Sequence, residues 1–229
     1  MKPIIQPVAR ELLIKELTKD KFIRVTRKGR NYLYEVTAHD SPNVMQEIGR
    51  LREISFRVNG GGTGKSVDID EYDIDPQEPY RQLIVWDPKD KEIIGGYRYI
   101  NCGGLPKEKM ATKELFNFSD EFINEYMPFT IELGRSFIQP NYQSTNLKRK
   151  SLYALDNLWD GLGALVVKYS NIKYFFGKVT MYTSYNTRAR NLLLHFLRKY
   201  FDDSQHLVTP IKPLVCDIDN PYFYELFKD

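Results

Sequence analysis

The chain has 229 residues, 42% of them hydrophobic and 28% charged, with a formal charge of +3. That length buries a sizeable core, and that charge is too small to argue for a nucleic-acid partner. Cys102 and Cys216 have no CxxC spacing, so neither a disulfide framework nor a zinc site is supported. No apolar run reaches the roughly 20 residues of a membrane span, and the opening MKPIIQPVARELL lacks a signal-peptide layout. The default compartment is the cytoplasm.

In chain order, residues 7–19 place Val8, Leu12, Leu13 and Leu17 at helical spacing. Two short alternating runs, 21–27 and 31–37, joined at Lys28-Gly29-Arg30, predict a hairpin. Ser41-Pro42 reads as a capped helix start, followed by Val44, Ile48, Leu51, Ile54 and Phe56 on one face. Residues 82–87 and 92–101 are strands around a Pro88–Lys91 turn, and 129–138 is another strand closed by Pro140. From Ser151 to Tyr169, Leu152, Leu155, Leu158, Trp159, Leu162 and Leu165 predict an amphipathic helix facing the core. A buried strand over 173–181 and a helix from Thr187 to Tyr200 follow. This order describes one α/β domain with a mixed twisted sheet flanked by helices. Residues 1–40 form its N-terminal helix and hairpin, 41–200 its core and 201–229 a C-terminal extension.

Two motifs are decoys. GGGTGKS at 60–66 resembles a phosphate-binding loop, but Asn59 stands where the first glycine belongs. A helix also precedes it where a strand is required. The acidic stretch holding Asp68, Asp70, Asp73 and Asp75 has Tyr72 and Asp73 where a calcium loop needs an oxygen ligand and glycine. The glycine-rich loop at 59–66 reads as mobile, a lid that closes as Arg52 pairs with Asp70 or Asp73. His39, His195 and His206 share no nucleophile-activating context.

ELGRS at 132–136 is the most informative segment. Charged residues inside an apolar strand are costly unless paired or used. Glu132 and Arg135 have opposite parity, so a bulge near Gly134 is needed to turn both towards one cleft. Arg52 and Arg98 are further charges in apolar surroundings.

These residues, with Phe56, Pro140, Tyr142, the LWDGL segment at Trp159 and YFFG at 174–177, resemble the GNAT (Gcn5-related) superfamily. Within it the chain looks like the ornithine-lipid and glycine-lipid N-acyltransferases, often labelled hemolysin-like, and it shares a pattern with acyl-homoserine-lactone synthases. The match spans about residues 44–180. The resemblance implies the GNAT fold and transfer of a 3-hydroxy fatty acyl group from acyl carrier protein to the amine of a small amino acid such as glycine or ornithine. The donor would be the acyl-phosphopantetheine thioester, with acyl-coenzyme A as the alternative. No tightly bound cofactor, metal or covalent intermediate is required.

By the same resemblance, Glu132 is the proton acceptor and Arg135 its catalytic neighbour. Arg52, Arg98 and Arg135 compete for the acceptor's carboxylate, and Phe56 lines the substrate site. Asp70 and Asp73 tie the glycine loop to an arginine, and backbone N–H groups of Ser136, Phe137 and Ile138 meet the oxyanion. Tyr142 and Tyr153 are candidates to protonate the leaving thiolate. Lys148, Arg149 and Lys150 form the docking patch for an acidic carrier, although such a run is usually a solvated face. Membrane contact would be peripheral, through the lipid product.

Two departures bear on the donor and the helix starts. QPNYQSTNLKRKS lacks the glycine-rich pyrophosphate loop of acetyl-CoA-using relatives. That favours a carrier over coenzyme A. Asn186 and Ala189 fit an N-x-x-A helix start, with Leu193 and His195 where a tyrosine often follows. The competing readings are a coenzyme-A-dependent acetyltransferase and a non-catalytic acyl-binding module.

Overall fold

The computed structural model describes residues 1–143, 149–214 and 221–227. The predicted hairpin forms strands β1 (Phe22–Val25) and β2 (Tyr32–Val36), and its turn places Gly29 and Arg30 at positive φ. The next strands are β3 (Arg81–Asp87), β4 (Glu92–Asn101), β5 (Phe116–Phe118), β6 (Thr130–Ile138) and β7 (Tyr174–Gly177). β8 is Val208–Pro210. Six strands form one sheet in the order β1-β2-β3-β4-β6-β7, antiparallel except for the β6–β7 pair. This is the expected mixed sheet, with β7 shorter than the predicted 173–181 and, at the sheet's edge, mostly exposed where a buried strand is expected.

Period-two alternation distributes the sheet's side chains between two layers. Ile84 and Trp86 join Leu13, Val44, Ile48 and Leu51 beneath helices α1 (Arg10–Glu16) and α2 (Pro42–Val58). Leu83 and Val85 join Tyr97, Leu158 and Leu165 beneath α3 (Arg149–Lys168). Gly161 lets α3 approach closely, because a Cβ there would lie 2.6 Å from Leu83 Cδ2 and 2.7 Å from the Tyr97 hydroxyl.

Three local expectations change. Ser41 makes no side-chain cap on α2; Glu16 of α1 instead accepts from the N–H of Asn43 (3.1 Å) and Val44 (2.9 Å). A carboxylate at a helix N-terminus satisfies orphan donors and complements the dipole. On α3, Leu152, Leu155 and Trp159 point to solvent, and the inward stripe is Ala154, Leu158, Ala164 and Leu165. The third difference is a small second sheet, β5 paired antiparallel with β8, at the edge of a cluster built on Tyr80, Ile100, Met110 and Phe122. Helix α4 (Thr187–Tyr200) begins as expected, with the Asn186 side chain accepting from Ala189 N–H at 3.0 Å. Helix α5 (Pro221–Leu226) and β8 give secondary structure to the C-terminal segment. Among the described residues, no helix is long and apolar enough to cross a membrane.

Candidate active site

The site begins where β6 loses one neighbour. Its pairing with β7 ends at Leu133 opposite Gly177, while its pairing with β4 runs on to Ile138 opposite Gly95. Beyond Leu133, β6 therefore presents an edge that β7 does not cover. The register against β4 slips between Arg98, opposite Gly134, and Gly96, opposite Phe137, and Arg135 has φ 51°. This is the bulge that the opposite parity of Glu132 and Arg135 requires. Both residues line one cavity of about 230 Å³, with Asp70, Tyr72, Tyr80, Arg98 and Lys178 around them.

Glu132 is 1% exposed and held entirely by donors. Its Oε1 accepts from Thr112 N–H at 2.9 Å, and its Oε2 from Ala111 N–H at 3.1 Å and from the Tyr80 hydroxyl. Burial first, then the Glu132 charge, pushes the Tyr80 phenol far above its ordinary value, so Tyr80 stays a donor.

The acidic stretch meets three arginines. Arg52, fully buried, donates Nη1 to both oxygens of Asp73 (3.2 and 3.1 Å) and Nη2 to Gln82, which itself donates to Asp73 at 3.0 Å. Arg98 Nη1 reaches Asp70 at 2.5 Å and Asp73 at 3.3 Å, and its guanidinium lies over the rings of Tyr80 and Tyr72. Arg135 bridges Asp70 (3.2 Å) and Asp68, whose Oδ2 lies 3.1 Å from Nε in an ion pair without hydrogen-bond alignment. Burial raises the Asp73 carboxyl, but Arg52 and Arg98 outweigh it and hold Asp73 below the ordinary range. Asp68 goes the other way: burial exceeds the pull of Arg135 and Arg52 and raises it.

The arrangement corrects several expectations. Arg52 and Asp73 do not line the cavity; they buttress it from behind. Phe56 is half-buried against the core under α2 and does not line it either. Ser136, Phe137 and Ile138 continue along the uncovered part of β6, beyond the cavity wall, with Phe137 turned into the core. Tyr142 is buried and donates to Asp87 and Asp90 at 3.3 Å each, while Tyr153 stands beside Lys28. Both border a different, larger cavity of about 420 Å³ that lacks Glu132, so neither stands beside Glu132. The smaller cavity combines Glu132 with the parting of two parallel strands. Lys148 lies outside the described residues, and Arg149 and Lys150 open α3.

The glycine loop is not a free lid in this structure. The buried Glu53 carboxylate accepts from the N–H and hydroxyl of Thr63 (2.9 and 2.6 Å) and from Gly64 N–H (2.9 Å), while Arg57 holds Lys65 O at 2.7 Å. A Cβ at Gly61 would lie 2.5 Å from the Tyr182 ring and one at Gly62 2.8 Å from Glu53. Close packing and a carboxylate tether, more than mobility, account for these glycines. The Arg52–Asp73 pair expected of a closed form is already made.

Sequence reasoning gives no role to Tyr80 or Lys178, and Tyr72 stands among the family-pattern residues without a role of its own. Tyrosines beside an acidic loop carry no periodic signal. Lys178 had one: Phe176 pairs with Glu132, so Lys178, two residues on, has the parity of Glu132's own face.

Comparison with known proteins joins this geometry. A family model described as an acetyltransferase (GNAT) domain matches residues 51–151. A glycine N(alpha)-acyltransferase of Phocaeicola vulgatus is 52% identical over 239 positions, covering 100% of this chain and 73% of that protein. Another from Bacteroides thetaiotaomicron is 55% identical over 234 positions, covering 99% of this chain and 68% of that protein. No solved structure gives a significant match. Of the groups that the motifs resemble, these comparisons reach the glycine N-acyltransferases and not the hemolysin-like or homoserine-lactone branches. The family model spans the second half of α2, the acidic loop and all of β6, and the identity runs the length of the chain; the protein belongs to the GNAT N-acyltransferases, in the family of these two relatives, and is an acyltransferase.

Proposed function

We propose that the protein acylates the amine of glycine, taking a 3-hydroxy fatty acyl group from the phosphopantetheine thioester of acyl carrier protein. The observation that carries this reading is the uncovered edge of β6 beside Glu132. A thin thioester arm can lie along that edge, its carbonyl facing backbone N–H groups, while a small amine enters the cavity. The two relatives named as glycine acyltransferases support the acceptor. QPNYQSTNLKRKS has no glycine with which to wrap a pyrophosphate, and this favours a carrier as donor.

In the reaction the neutral amine attacks the thioester carbonyl. A carbon–nitrogen bond forms, the carbonyl electrons move to oxygen, and the oxyanion is met by amides of the open strand. Glu132 takes the proton from nitrogen, directly or through Tyr80. Collapse breaks the carbon–sulfur bond, and the thiolate recovers that proton from Glu132, leaving amide and free thiol in balance. The lipid product would bring the enzyme to a membrane surface peripherally, within aminolipid synthesis.

The test offers purified enzyme equal concentrations of 3-hydroxyacyl carrier protein, the matching acyl-coenzyme A and acetyl-coenzyme A, each with a panel of amino acids. The expected best pair is carrier thioester with glycine. Acetyl-coenzyme A as equal or better donor would replace this reading with a coenzyme-A-dependent acetyltransferase.

A further inference from the structure

An amino-acid acceptor brings a carboxylate as well as an amine, and a partly desolvated carboxylate requires a cation. The three arginines at the site each face a carboxylate already. Arg52 is closed off by Asp73 and Gln82, the Arg98 Nη1 by Asp70 and Asp73, and Arg135 by Asp68 and Asp70. Lys178 is different. It lines the same cavity, yet its partner is only the Thr180 hydroxyl at 3.4 Å, and no carboxylate of the described residues pairs with it. It sits one residue past the end of β7, on the Glu132 face of the sheet.

A second, independent observation points to a ligand in the same place. Arg98 is 4% exposed and lines the cavity, and its Nε–H donor has no hydrogen-bond partner. It lies beside Gly134, where an added Cβ would stand 3.5 Å from Nε. An unpartnered buried donor costs free energy unless something fills its position. The electrostatics agree: partial burial, then Arg135 and Arg98, depress the Lys178 ammonium below its ordinary value, and an anion bound between these cations relieves that repulsion.

We propose that Lys178, together with the Nε–H of Arg98, receives the α-carboxylate of the amino-acid acceptor and so turns its amine towards Glu132. This rests on the reading of the site as an amino-acid N-acyltransferase. Lys178 is a binding and positioning residue here, and the bond-making steps stay as described above. The inference also explains why a lysine with no carboxylate partner among the described residues stands at this cavity.

The test compares glycine with glycinamide, which keeps the amine and lacks the carboxylate, in the wild type, Lys178→Met and Lys178→Arg. The wild type should favour glycine by about 30-fold or more in kcat/KM, as expected when a site's charge partner is missing. In Lys178→Met that preference should collapse to about threefold or less, mainly through a higher KM for glycine. Lys178→Arg should keep most of it, which a merely structural lysine would not require. Thermal melts of both variants check folding at this exposed position. A wild type that does not distinguish the two amines, or a Lys178→Met variant that distinguishes them as the wild type does, overturns the carboxylate site while glycine acylation stands. Failure of the wild type to acylate glycine from any thioester overturns the functional reading itself, and the inference with it.

Discussion

Two layers of charge meet behind β6, and they differ in how completely they are satisfied. The inner layer, Arg52 with Asp73 and Gln82, is wholly buried, and each partner is bonded to the others. The outer layer, Arg135 with 28% of its side chain exposed and Lys178 beside it, faces the cavity. A buried charge bonded through both Nη atoms, as Arg52 is although its Nε lacks a partner, serves the scaffold: it fixes the acidic loop against α2 and β3. A charge at a cavity mouth that lacks its partner is available to a ligand. Sequence marks Arg52 and Arg135 alike as costly charges in apolar surroundings, and only their partners tell the two layers apart.

The sharpest way to break this contrast is to remove one partner from the inner layer. Asp73→Ala leaves Arg52 buried and unpaired, and should cost about 3–5 kcal/mol in urea unfolding. The double change Arg52→Met with Asp73→Leu should cost clearly less, since neither charge is stranded. The pH dependence follows with its sign. The folded Asp73 value lies below the ordinary 3.8, so the stability it contributes is complete above that value and is lost as pH falls through the folded one. Asp68, raised by burial, works in the opposite sense. The Asp73 limb is therefore read as the difference between wild type and Asp73→Asn, a difference that should shrink as pH falls below the ordinary carboxylate range.

Next in size is Glu132→Gln, which should lower turnover by about 100-fold or more. Because every partner of Glu132 is a donor, the new amide NH₂ must face one of them. The variant should therefore also lose about 1–3 kcal/mol of stability, read by the same unfolding assay. An unchanged turnover would assign Glu132 to anchoring residues 111 and 112 alone.

A smaller effect tests the tethered glycine loop. Glu53→Gln should loosen it and lower stability by about 1–2 kcal/mol, with acyl transfer held within about twofold of wild type in steady-state assays. A large loss of transfer, or leakage into thioester hydrolysis, would restore the lid. The smallest effect concerns the carrier. Reversing the charges of Arg149 and Lys150 should raise the KM for acyl carrier protein several-fold with little change in kcat, and added salt should weaken the wild type in the same direction.

The sheet was legible because its hairpin strands alternate, its central strands are apolar runs that end at turn residues, and the bulge follows from the parity of Glu132 and Arg135. The β5–β8 pair was not, since strands of three residues are too short to show a period. The outward face of α3 misled for another reason: Leu152, Leu155 and Trp159 fit helical spacing, yet apolar periodicity cannot say which flank of a broad stripe meets the sheet. At the site, Glu132, Arg98 and Arg135 stood out as charges in apolar strands, and they line one cavity. Arg52 shared that signal but lies behind the cavity; of the residues named by resemblance, Asp70 lines it while Asp73 and Phe56 do not. Tyr80 escaped because its role comes from a hydrogen bond to Glu132, 52 residues away in sequence.

The central claim is that the opening between β6 and β7 transfers an acyl group from a carrier thioester to the glycine nitrogen. Intact-mass analysis of the carrier, with the N-acylglycine formed from ¹⁵N-glycine quantified in the same reaction, tests it most directly. The account predicts one labelled N-acylglycine for each carrier thiol released. A carrier that stays acylated in the presence of glycine, or one that releases free fatty acid without the labelled amide, would contradict it.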